Sequence, residues 1–268
     1  MPDTPVSDVT DYYRSILPFY EKESVSRAHL AFWREIAVEA SPRRILELGA
    51  GLGRITAALH RVAPAVGADL SLEMLARARA RSGAGGPEFV AADARRPVAR
   101  GAFDLIVAPG DPVSHATSLQ DRRAILRAAA AALAPGGRLV IEGLYRRGDR
   151  IAMPVRRVRH PEGVLVIEES WYPLAVRDLW HARYLYRDKL RGGGEKTAAA
   201  SFVARAWNPA TVRREMARAG LRVEALWGDF DRKPFGPGSP RMIVVARRAG
   251  PEGSPIRAGS RARPSRRR

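Results

Sequence analysis

Three closely spaced glycines and the carboxylates around them are the residues of this chain that most directly suggest a ligand site. Gly49, Gly51 and Gly53 follow a short apolar run, in the stretch Glu47-Leu-Gly-Ala-Gly-Leu-Gly. Glycines let the backbone turn sharply and let a ligand approach the main chain. A helix that begins at such a turn directs free N–H groups at whatever lies above it. The stretch therefore predicts a small-molecule site at a strand-to-helix turn.

The spacing of these glycines argues against two common nucleotide sites. In the dinucleotide fingerprint Gly-x-Gly-x-x-Gly the third glycine comes one residue later than Gly53, and position 54 here is Arg. A triphosphate-binding loop needs Lys followed by Ser or Thr, which this turn lacks. An NAD-dependent dehydrogenase is therefore disfavoured.

Two aspartates follow at positions where they could hold a nucleoside. Asp69 comes 16 residues after Gly53, at the end of a second apolar run, where its carboxylate can accept both hydroxyls of a ribose. Asp93 follows a third apolar run and could accept from an adenine amino group. Glu47 and Asp69 suit a cation, and Arg54 is the one cationic side chain beside the glycines. The residues thus favour a sulfonium nucleoside.

Alternating apolar and amphipathic segments must position these residues. Strands are predicted at 44–48, 65–69, 88–91, 103–107 and 138–142, with a helix capped by Ser71 and an Ala-rich helix over 119–133 that Pro135-Gly136-Gly137 stops. This alternation is typical of a parallel sheet covered by helices. Residues 12–40 read as two helices that lead into the sheet.

The alternation breaks after Tyr145. Segments 155–169 and 174–190 read as antiparallel strands separated by Trp171-Tyr172-Pro173, although the second also fits a helical period. Gly192-Gly193-Gly194 is a flexible loop, a helix over 209–219 follows, and strands at 221–227 and 241–247 close the sheet. Residues 249–268 are Gly, Pro, Ser and Arg, a composition that predicts a disordered basic tail.

Composition narrows the class of protein further. The chain has 268 residues and no cysteine, which excludes a disulfide scaffold and a cysteine nucleophile. The N-terminus lacks a signal-peptide pattern and no apolar run is long enough to cross a bilayer, so we expect a soluble, cytoplasmic protein without a membrane partner. The net charge of +18 is carried mostly by arginine and leaves a nucleic-acid partner open, without favouring it.

Several motifs together resemble the class I S-adenosylmethionine-dependent methyltransferases. They span roughly residues 40–145 in the family's order and are Ile45-Leu-Glu-Leu-Gly-Ala-Gly-Leu-Gly53, Gly67-Ala-Asp69-Leu-Ser-Leu-Glu-Met-Leu75, Ala91-Ala-Asp93-Ala, Phe103-Asp-Leu-Ile106 and Leu133-Ala-Pro-Gly-Gly-Arg-Leu-Val140. The resemblance implies an α/β, Rossmann-like, doubly wound sheet of seven mostly parallel strands whose last strand is antiparallel. It also implies a helical N-terminal lid (residues 1–42), a methyltransferase domain (43–248) with an antiparallel β insert at about 146–206, and the tail (249–268).

By the same resemblance the cofactor is S-adenosyl-L-methionine, the by-product is S-adenosyl-L-homocysteine, and no metal is expected. Asp69 would hold the ribose, Asp93 the adenine, and Glu47 would lie near the amino group of the methionine part. The cofactor-binding residues implied are Glu47, Gly49, Ala50, Gly51, Gly53, Asp69, Leu70, Met74, Asp93, Ala94 and Pro109.

A second resemblance, to glycine N-methyltransferase and the amino-sugar N-methyltransferases, concerns the acceptor. Pro109-Gly-Asp-Pro-Val-Ser-His115 is similar to their Gly-Asn-Ser-x-x-His loop, but Asp111 and Pro112 stand where Asn and Ser are usual. His115 is the candidate base, and Tyr13 and Tyr20 could reach the methyl group. Asp111, Arg205 and Trp171 are candidate acceptor contacts. Each of these side chains could instead have a purely structural role, as a loop, packing or surface residue.

The sequence thus predicts methyl transfer to nitrogen or oxygen of a small molecule by in-line displacement. An RNA or protein methyltransferase that uses the basic surface, and a non-catalytic S-adenosylmethionine-binding protein, are the alternatives. The acceptor and the oligomeric state are not specified by the sequence.

Overall fold

A computed structural model describes residues 9–23, 27–148 and 151–248. The helices of this part of the chain are α1 (Val9–Tyr20), α2 (Arg27–Ala40), α3 (Arg54–His60), α4 (Leu72–Ser82), α5 (Leu119–Ala132) and α6 (Val212–Arg218), with a short 3₁₀ helix at Pro112–His115. Its strands are β1 (Ile45–Leu48), β2 (Ala65–Asp69), β3 (Glu88–Ala91), β4 (Phe103–Ala108), β5 (Leu133–Gly143), β6 (Ile151–Ala152), β7 (Arg156–His160), β8 (Gly163–Pro173), β9 (Leu179–Leu190), β10 (Glu195–Arg205), β11 (Leu221–Trp227) and β12 (Met242–Arg248).

The main sheet has seven strands in the order β3-β2-β1-β4-β5-β12-β11. β1 to β5 pair in parallel, whereas β12 is antiparallel to both of its neighbours. β1 and β4 are apolar and almost wholly buried because helices cover both faces: α5 and α6 contribute Leu126 and Met216 to one core, and α2 and α3 contribute Trp33 and Leu59 to the other. The predicted fold, including its reversed last strand, is confirmed.

A second, antiparallel sheet is formed by the insert, in the order β10-β9-β8-β6 with β7 also paired to β8. Its buried face packs against α1, where Tyr12, Ile16 and Phe19 share an apolar cluster with Tyr186 and Phe202 of the insert. The N-terminal helix is therefore held by the insert sheet. Each α1 residue in this cluster gives up water-accessible apolar surface, which stabilises the contact.

The insert departs from the sequence-based expectation in three ways. Segment 155–169 is a hairpin, with β7 and β8 joined after His160, and Trp171-Tyr172-Pro173 belong to β8 instead of separating two strands. The helical alternative for 174–190 is wrong, since β9 pairs along its length with β8 and β10. β10 was not expected, because its Ala-rich sequence carries little strand preference and pairing with β9 decides its conformation.

Helix boundaries also shift for local reasons. α3 begins at Arg54 because its preceding residue, Gly53, has a left-handed φ of 72°. α6 begins at Val212, three residues after the expected start. Pro135, Gly136 and Gly137 lie within β5 instead of forming a separate turn, and the β4–β5 register shifts between Phe103 and Leu105.

Two expectations lie outside the described residues: the order of the tail (249–268) and the start of the predicted lid, residues 1–8. The boundaries 1–42, 43–248 and 249–268 stay predictions. In the ranges that the structure covers, no helix has the length and apolar character required to cross a bilayer. The cytoplasmic location stays a prediction.

Candidate active site

The glycine turn after β1 is packed from both sides. Gly49, Gly51 and Gly53 all have left-handed φ values, of 72°, 52° and 72°. A Cβ on Gly49 would lie 2.5 Å from the Cβ of Pro112, and one on Gly53 would lie 2.5 Å from the ring of Phe89. Gly51 has more room, with the Sδ of Met74 3.6 Å away as its nearest neighbour. The first and third glycines are thus required by packing as well as by backbone conformation.

Asp69, at the carboxyl end of β2, holds this turn in place. Its Oδ2 accepts from the Gly51 N–H at 2.8 Å, and its Oδ1 accepts from the Ser71 N–H at 2.8 Å. Ser71 then caps α4 through the Met74 N–H at 3.3 Å, as the sequence predicted. The two bonds leave further lone pairs on the carboxylate, which can accept from hydroxyl groups.

A cavity of about 410 Å³, here called the cofactor cavity, lies above the turn. The predicted cofactor residues that line it are Gly49, Gly51, Asp69, Leu70, Met74, Asp93, Ala94 and Pro109. Its volume is in the range of small-molecule sites. α1 closes it on one side, through Tyr13 and Tyr20.

Three predicted cofactor residues, Glu47, Ala50 and Gly53, lie outside this lining, and their contact with the cofactor stays a prediction. Ala50 packs in an apolar cluster with Leu75 and Phe89, and Gly53 forms the N-terminal boundary of α3. Glu47 is buried and accepts a hydrogen bond from the Thr56 hydroxyl. Burial raises the pKa of Glu47 to about 8. All three residues contact other parts of the protein in this structure, where they shape the glycine turn.

Asp93 is tied to its neighbours at the edge of the cofactor cavity. Its carboxylate accepts from the backbone N–H of Arg95 at 2.9 Å and pairs with the Arg95 guanidinium at 2.7 Å. Arg95 also reaches Asp121 at 3.2 Å. The hydrogen bonds from the Arg95 side chain lower the pKa of Asp93. Asp93 is therefore an anion fixed in orientation, suited to accept from an amino group.

A second cavity, of about 360 Å³, lies beside the first and is here called the acceptor cavity. Tyr13, Tyr20, Gly110 and His115 line both cavities and form the wall between them. The side chains of the acceptor cavity are mainly aromatic and charged, and include Tyr12, Glu23, Asp111, Glu142, Arg146, Arg156, Glu169, Trp171, Tyr184, Tyr186, Phe202 and Arg241. Two ligands could thus meet at the shared wall.

His115 and Tyr13 are in contact within this wall. The Tyr13 hydroxyl lies 3.3 Å from Nε2 of His115, and the two rings meet edge to face. Burial lowers the pKa of His115 to about 4 and raises the pKa of Tyr13 well above its usual value. Both groups are neutral near pH 7, so His115 is a hydrogen-bonding side chain and a weak base.

Tyr20 is held by the residue that follows the glycine turn. The Arg54 guanidinium donates to the carbonyls of Tyr20 and Glu21 at 3.1 and 2.8 Å, and lies over the Tyr20 ring at 5.7 Å. Burial raises the pKa of Tyr20 to about 12. Arg54 therefore satisfies carbonyls at the C-terminus of α1 and joins the helix to the cofactor turn.

Asp111 lines the acceptor cavity from the loop after β4. The backbone of Asp111 is left-handed, with φ of 65°, and its carboxylate accepts from the Ser114 hydroxyl. The next residue is Pro112, which presses on Gly49. The loop that carries Asp111 and His115 thus rests directly on the floor of the cofactor cavity.

Trp171 and Arg205, both predicted acceptor contacts, have different positions. Trp171 lines the acceptor cavity, where its indole N–H donates to Glu169 at 2.6 Å and its ring lies under the Arg146 guanidinium at 4.9 Å. Arg205 lies outside both linings and donates to the carbonyls of Thr117 and Arg177 at 2.6 and 3.2 Å. Arg205 therefore ties two loops together, and its contact with the acceptor stays a prediction.

Glu142 is a residue of the acceptor cavity that sequence reasoning missed. Its carboxylate accepts from the Gly110 N–H at 2.9 Å and from Arg241 at 2.6 Å, and lies 3.0 Å from Nε2 of His29. Burial alone would raise the pKa of Glu142, but His29, Gly110 and Arg241 together hold it below its usual value. The available signal was an acidic residue at the carboxyl end of a predicted apolar strand.

In the described ranges, His, Asp and Glu side chains form no group of three or more that could hold a metal ion. The sequence-based expectation of no metal stays a prediction.

Comparisons with known proteins support the reading of the glycine turn. Residues 45–137 match a family model described as "Methyltransferase domain". A demethylmenaquinone methyltransferase of Thermus thermophilus is 39% identical over 120 residues, which cover 41% of this chain and 52% of the relative. The chain thus spans about half the length of that curated relative.

Solved methyltransferase structures are similar over most of the chain. S-adenosylmethionine-bound CalS10, an amino pentose methyltransferase from Micromonospora echinaspora, is 21% identical and has a TM-score of 0.71, with 87% of this chain and 96% of that chain covered. The CcbJ methyltransferase from Streptomyces caelestis is 22% identical and has a TM-score of 0.73, with 91% of this chain and 100% of that chain covered. The sugar N-methyltransferase KedS8 from a Streptoalloteichus species is 20% identical and has a TM-score of 0.69, with 93% of this chain and 97% of that chain covered. These likenesses establish the fold, and residues 45–137 are similar in sequence to a methyltransferase domain.

Proposed function

We propose that this chain, a class I S-adenosylmethionine-dependent methyltransferase by its domain and fold, transfers a methyl group to a small molecule held in the acceptor cavity. The observation that carries the proposal is the pair of adjoining cavities, of about 410 and 360 Å³, separated by the shared wall of Tyr13, Tyr20, Gly110 and His115. Such an arrangement lets two ligands approach without covalent participation of the protein.

The residues of the cofactor cavity fit S-adenosylmethionine. Asp69 keeps acceptor capacity for ribose hydroxyls while it fixes the Gly51 N–H, and Asp93 is an oriented anion at the far side. Gly51 leaves space beside Met74 for a ligand to approach the main chain. When bound, the cofactor supplies a methyl group on a positively charged sulfur, and displacement at that carbon needs no metal ion.

The protein's contribution is to align the acceptor and exclude water. The aromatic side chains of α1 and the insert, among them Tyr12, Tyr184 and Phe202, enclose the acceptor cavity. Fixing two reactants in line corresponds to effective molarities of up to about 10⁵–10⁸ M. The neutral Tyr13–His115 pair at the shared wall orients the acceptor by hydrogen bonding.

A small acceptor is favoured over RNA or a folded protein by the size of this cavity, about 360 Å³. It is bounded by α1 on one side and by β8, β9 and β10 on the other. The structural relatives CalS10 and KedS8 are described as acting on an amino pentose and a sugar, which supports the same proposal. The basic tail lies outside the described residues and does not enter the argument.

The test is to incubate the protein with methyl-labelled S-adenosylmethionine and a metabolite extract, and to separate small molecules, RNA and protein afterwards. Label in the small-molecule fraction, lost in the Asp69→Ala variant, is the expected result. Label confined to RNA or protein would establish the corresponding alternative. Cofactor binding without transfer to any fraction would indicate a non-catalytic binding protein.

A further inference from the structure

Asp111 differs from the other carboxylates of the acceptor cavity in its charge balance. Among the described residues, three of the four carboxylates that line the cavity have a guanidinium partner, in the pairs Glu23–Arg156 at 3.2 Å, Glu142–Arg241 at 2.6 Å and Glu169–Arg146 at 3.9 Å. No ion pair involves Asp111 within that part of the chain, and its recorded partners are the Ser114 hydroxyl and the Leu144 N–H.

We propose that Asp111 receives the ammonium group of an amine acceptor and takes its proton before methyl transfer. This inference rests on the proposed function and deepens it, because it names the acceptor as an amine and gives Asp111 a catalytic role. A partly buried carboxylate without a cation partner is unfavourable, and a bound ammonium would offset that cost.

The position of Asp111 suits this role. It directly follows Gly110, which lines both cavities, and it comes four residues before His115 in the same loop. Burial raises the pKa of Tyr13 most, and Tyr20, Asp69 and Asp111 add to that shift in decreasing order. The Tyr13 hydroxyl at the shared wall therefore lies in the electrostatic field of both aspartates. Asp111 therefore lies near the point where acceptor and methyl group meet.

The titration of Asp111 is set by groups on every element around it. Burial raises its pKa to about 7, and Glu142 of β5 acts in the same direction. The Ser114 hydroxyl, the Leu144 N–H and the charge of Arg122 on α5 oppose that shift. A base with a pKa near the working pH is efficient at proton transfer. His115 is less suited, since burial lowers its pKa to about 4.

Proton transfer to Asp111 precedes methyl transfer. The acceptor R–NH₃⁺ gives one proton to the Asp111 carboxylate and becomes R–NH₂. The nitrogen lone pair forms a bond to the methyl carbon while the carbon–sulfur bond breaks and leaves its electron pair on sulfur. The products are R–NH₂⁺–CH₃ and S-adenosylhomocysteine, and the proton on Asp111 passes to water.

The first test needs no acceptor. Sinefungin is an S-adenosylhomocysteine analogue that carries a C–NH₃⁺ group where the cofactor has its methyl-bearing sulfur, so its ammonium group lies at the transfer position. Calorimetry at pH 8 should show that Asp111→Asn loses about tenfold in affinity for sinefungin relative to S-adenosylhomocysteine. The preference of the unaltered protein for sinefungin should also fall as the pH decreases from 8 to 6.

A matched control is Asp178→Asn. Asp178 is also an aspartate with a left-handed φ, of 65°, but it lies outside both cavity linings. Asn adopts this backbone conformation readily, so both variants should fold. Binding of S-adenosylhomocysteine verifies folding directly. The control should keep the preference for sinefungin.

The second test uses a product of the labelling experiment above. An N-methylated amine, whose formation Asp111→Asn slows at constant affinity for S-adenosylhomocysteine, would complete the evidence. A product methylated on oxygen or carbon, or an unchanged sinefungin preference in Asp111→Asn, would overturn the assignment of Asp111. Failure to bind S-adenosylhomocysteine at all would instead contradict the proposed function.

Discussion

The two cavities of this protein are built in different ways. The cofactor cavity is formed largely by strand ends and turns between residues 48 and 125, and main-chain groups such as the Gly51 N–H form part of its structure. The acceptor cavity is formed by side chains of α1, β5, the insert and the β11–β12 connection, from Tyr12 to Arg241. The first is therefore a local structure, whereas the second depends on long-range packing.

This difference predicts separable effects of mutation. Changes to the turn after β1 should alter cofactor affinity and stability, and changes to the acceptor side should alter turnover at constant cofactor affinity. Pro112 is the exception, because it joins the acceptor loop to Gly49.

The largest expected effect is that of Gly49→Ala. Because Gly49 contacts Pro112 of the acceptor loop, this change should affect both cavities. The new Cβ would lie 2.5 Å from Pro112 in a backbone with φ of 72°. Left-handed strain and overpacking together should lower the free energy of unfolding by about 2–5 kcal/mol. Chemical denaturation measures this change.

Gly136→Ala is the control for Gly49→Ala. Gly136 has nearly the same φ, of 73°, but nothing within 4 Å of a new Cβ. It should cost only the backbone strain, about 1–2 kcal/mol. Equal losses in the two variants would show that contact with Pro112 is unimportant.

Asp69→Ala should act on the cofactor cavity alone. Loss of charge-assisted hydrogen bonds should weaken S-adenosylhomocysteine binding by about 1.5–3 kcal/mol, measured by calorimetry. Glu73→Ala, which removes an exposed carboxylate on α4, is the control and should leave the affinity unchanged. Normal affinity in Asp69→Ala would refute the placement of the ribose.

Two groups, Glu47 and His115, should make opposite contributions to the pH dependence of stability. Burial raises the pKa of Glu47 to about 8, so the folded state holds a proton that the unfolded state releases, and the Glu47 contribution declines as pH rises from about 4.5 to 8. Burial lowers the pKa of His115 to about 4, so stability declines as pH falls from about 6.5 to 4.

These two contributions are separated by subtraction. The difference in unfolding free energy between the unaltered protein and Glu47→Gln should fall with rising pH, and the difference for His115→Phe should rise, each by at most about 1.4 kcal/mol per pH unit. Parallel curves for the two variants would contradict the assigned protonation states.

Arg205→Ala should have the smallest effect. Its side chain donates to two loop carbonyls at a partly exposed site, so its loss should cost about 1 kcal/mol of stability. Affinity for S-adenosylhomocysteine and the yield of labelled product should not change. A drop in product yield at full stability would support the predicted contact between Arg205 and the acceptor.

The same difference explains what the sequence could predict. The strands that end before Gly49, at Asp69 and before Asp93 were located by apolar runs and turn residues, since their geometry depends on neighbours in the chain. The Thr56 hydroxyl is the partner of Glu47, which could not be predicted because a strand pattern does not say which side of a turn a carboxylate faces.

The acceptor side was harder to predict for a physical reason. Trp171, Tyr184 and Tyr186 fit a cavity and an apolar core equally well by residue type, and only the packing of α1 on the insert decides between them. The partners of Glu142 could not be predicted, because Gly110 and Arg241 lie 32 and 99 residues away in the chain. Arg205 could not be distinguished from other arginines, since its contacts are backbone carbonyls of separate loops.

A crystal structure of the protein with S-adenosylhomocysteine tests the central claim most directly. The ribose hydroxyls should bind the Asp69 carboxylate, the adenine should lie beside Asp93, and the sulfur should point at the wall formed by Tyr13 and His115. A ligand bound outside the cofactor cavity, or oriented with its sulfur away from that wall, would contradict it.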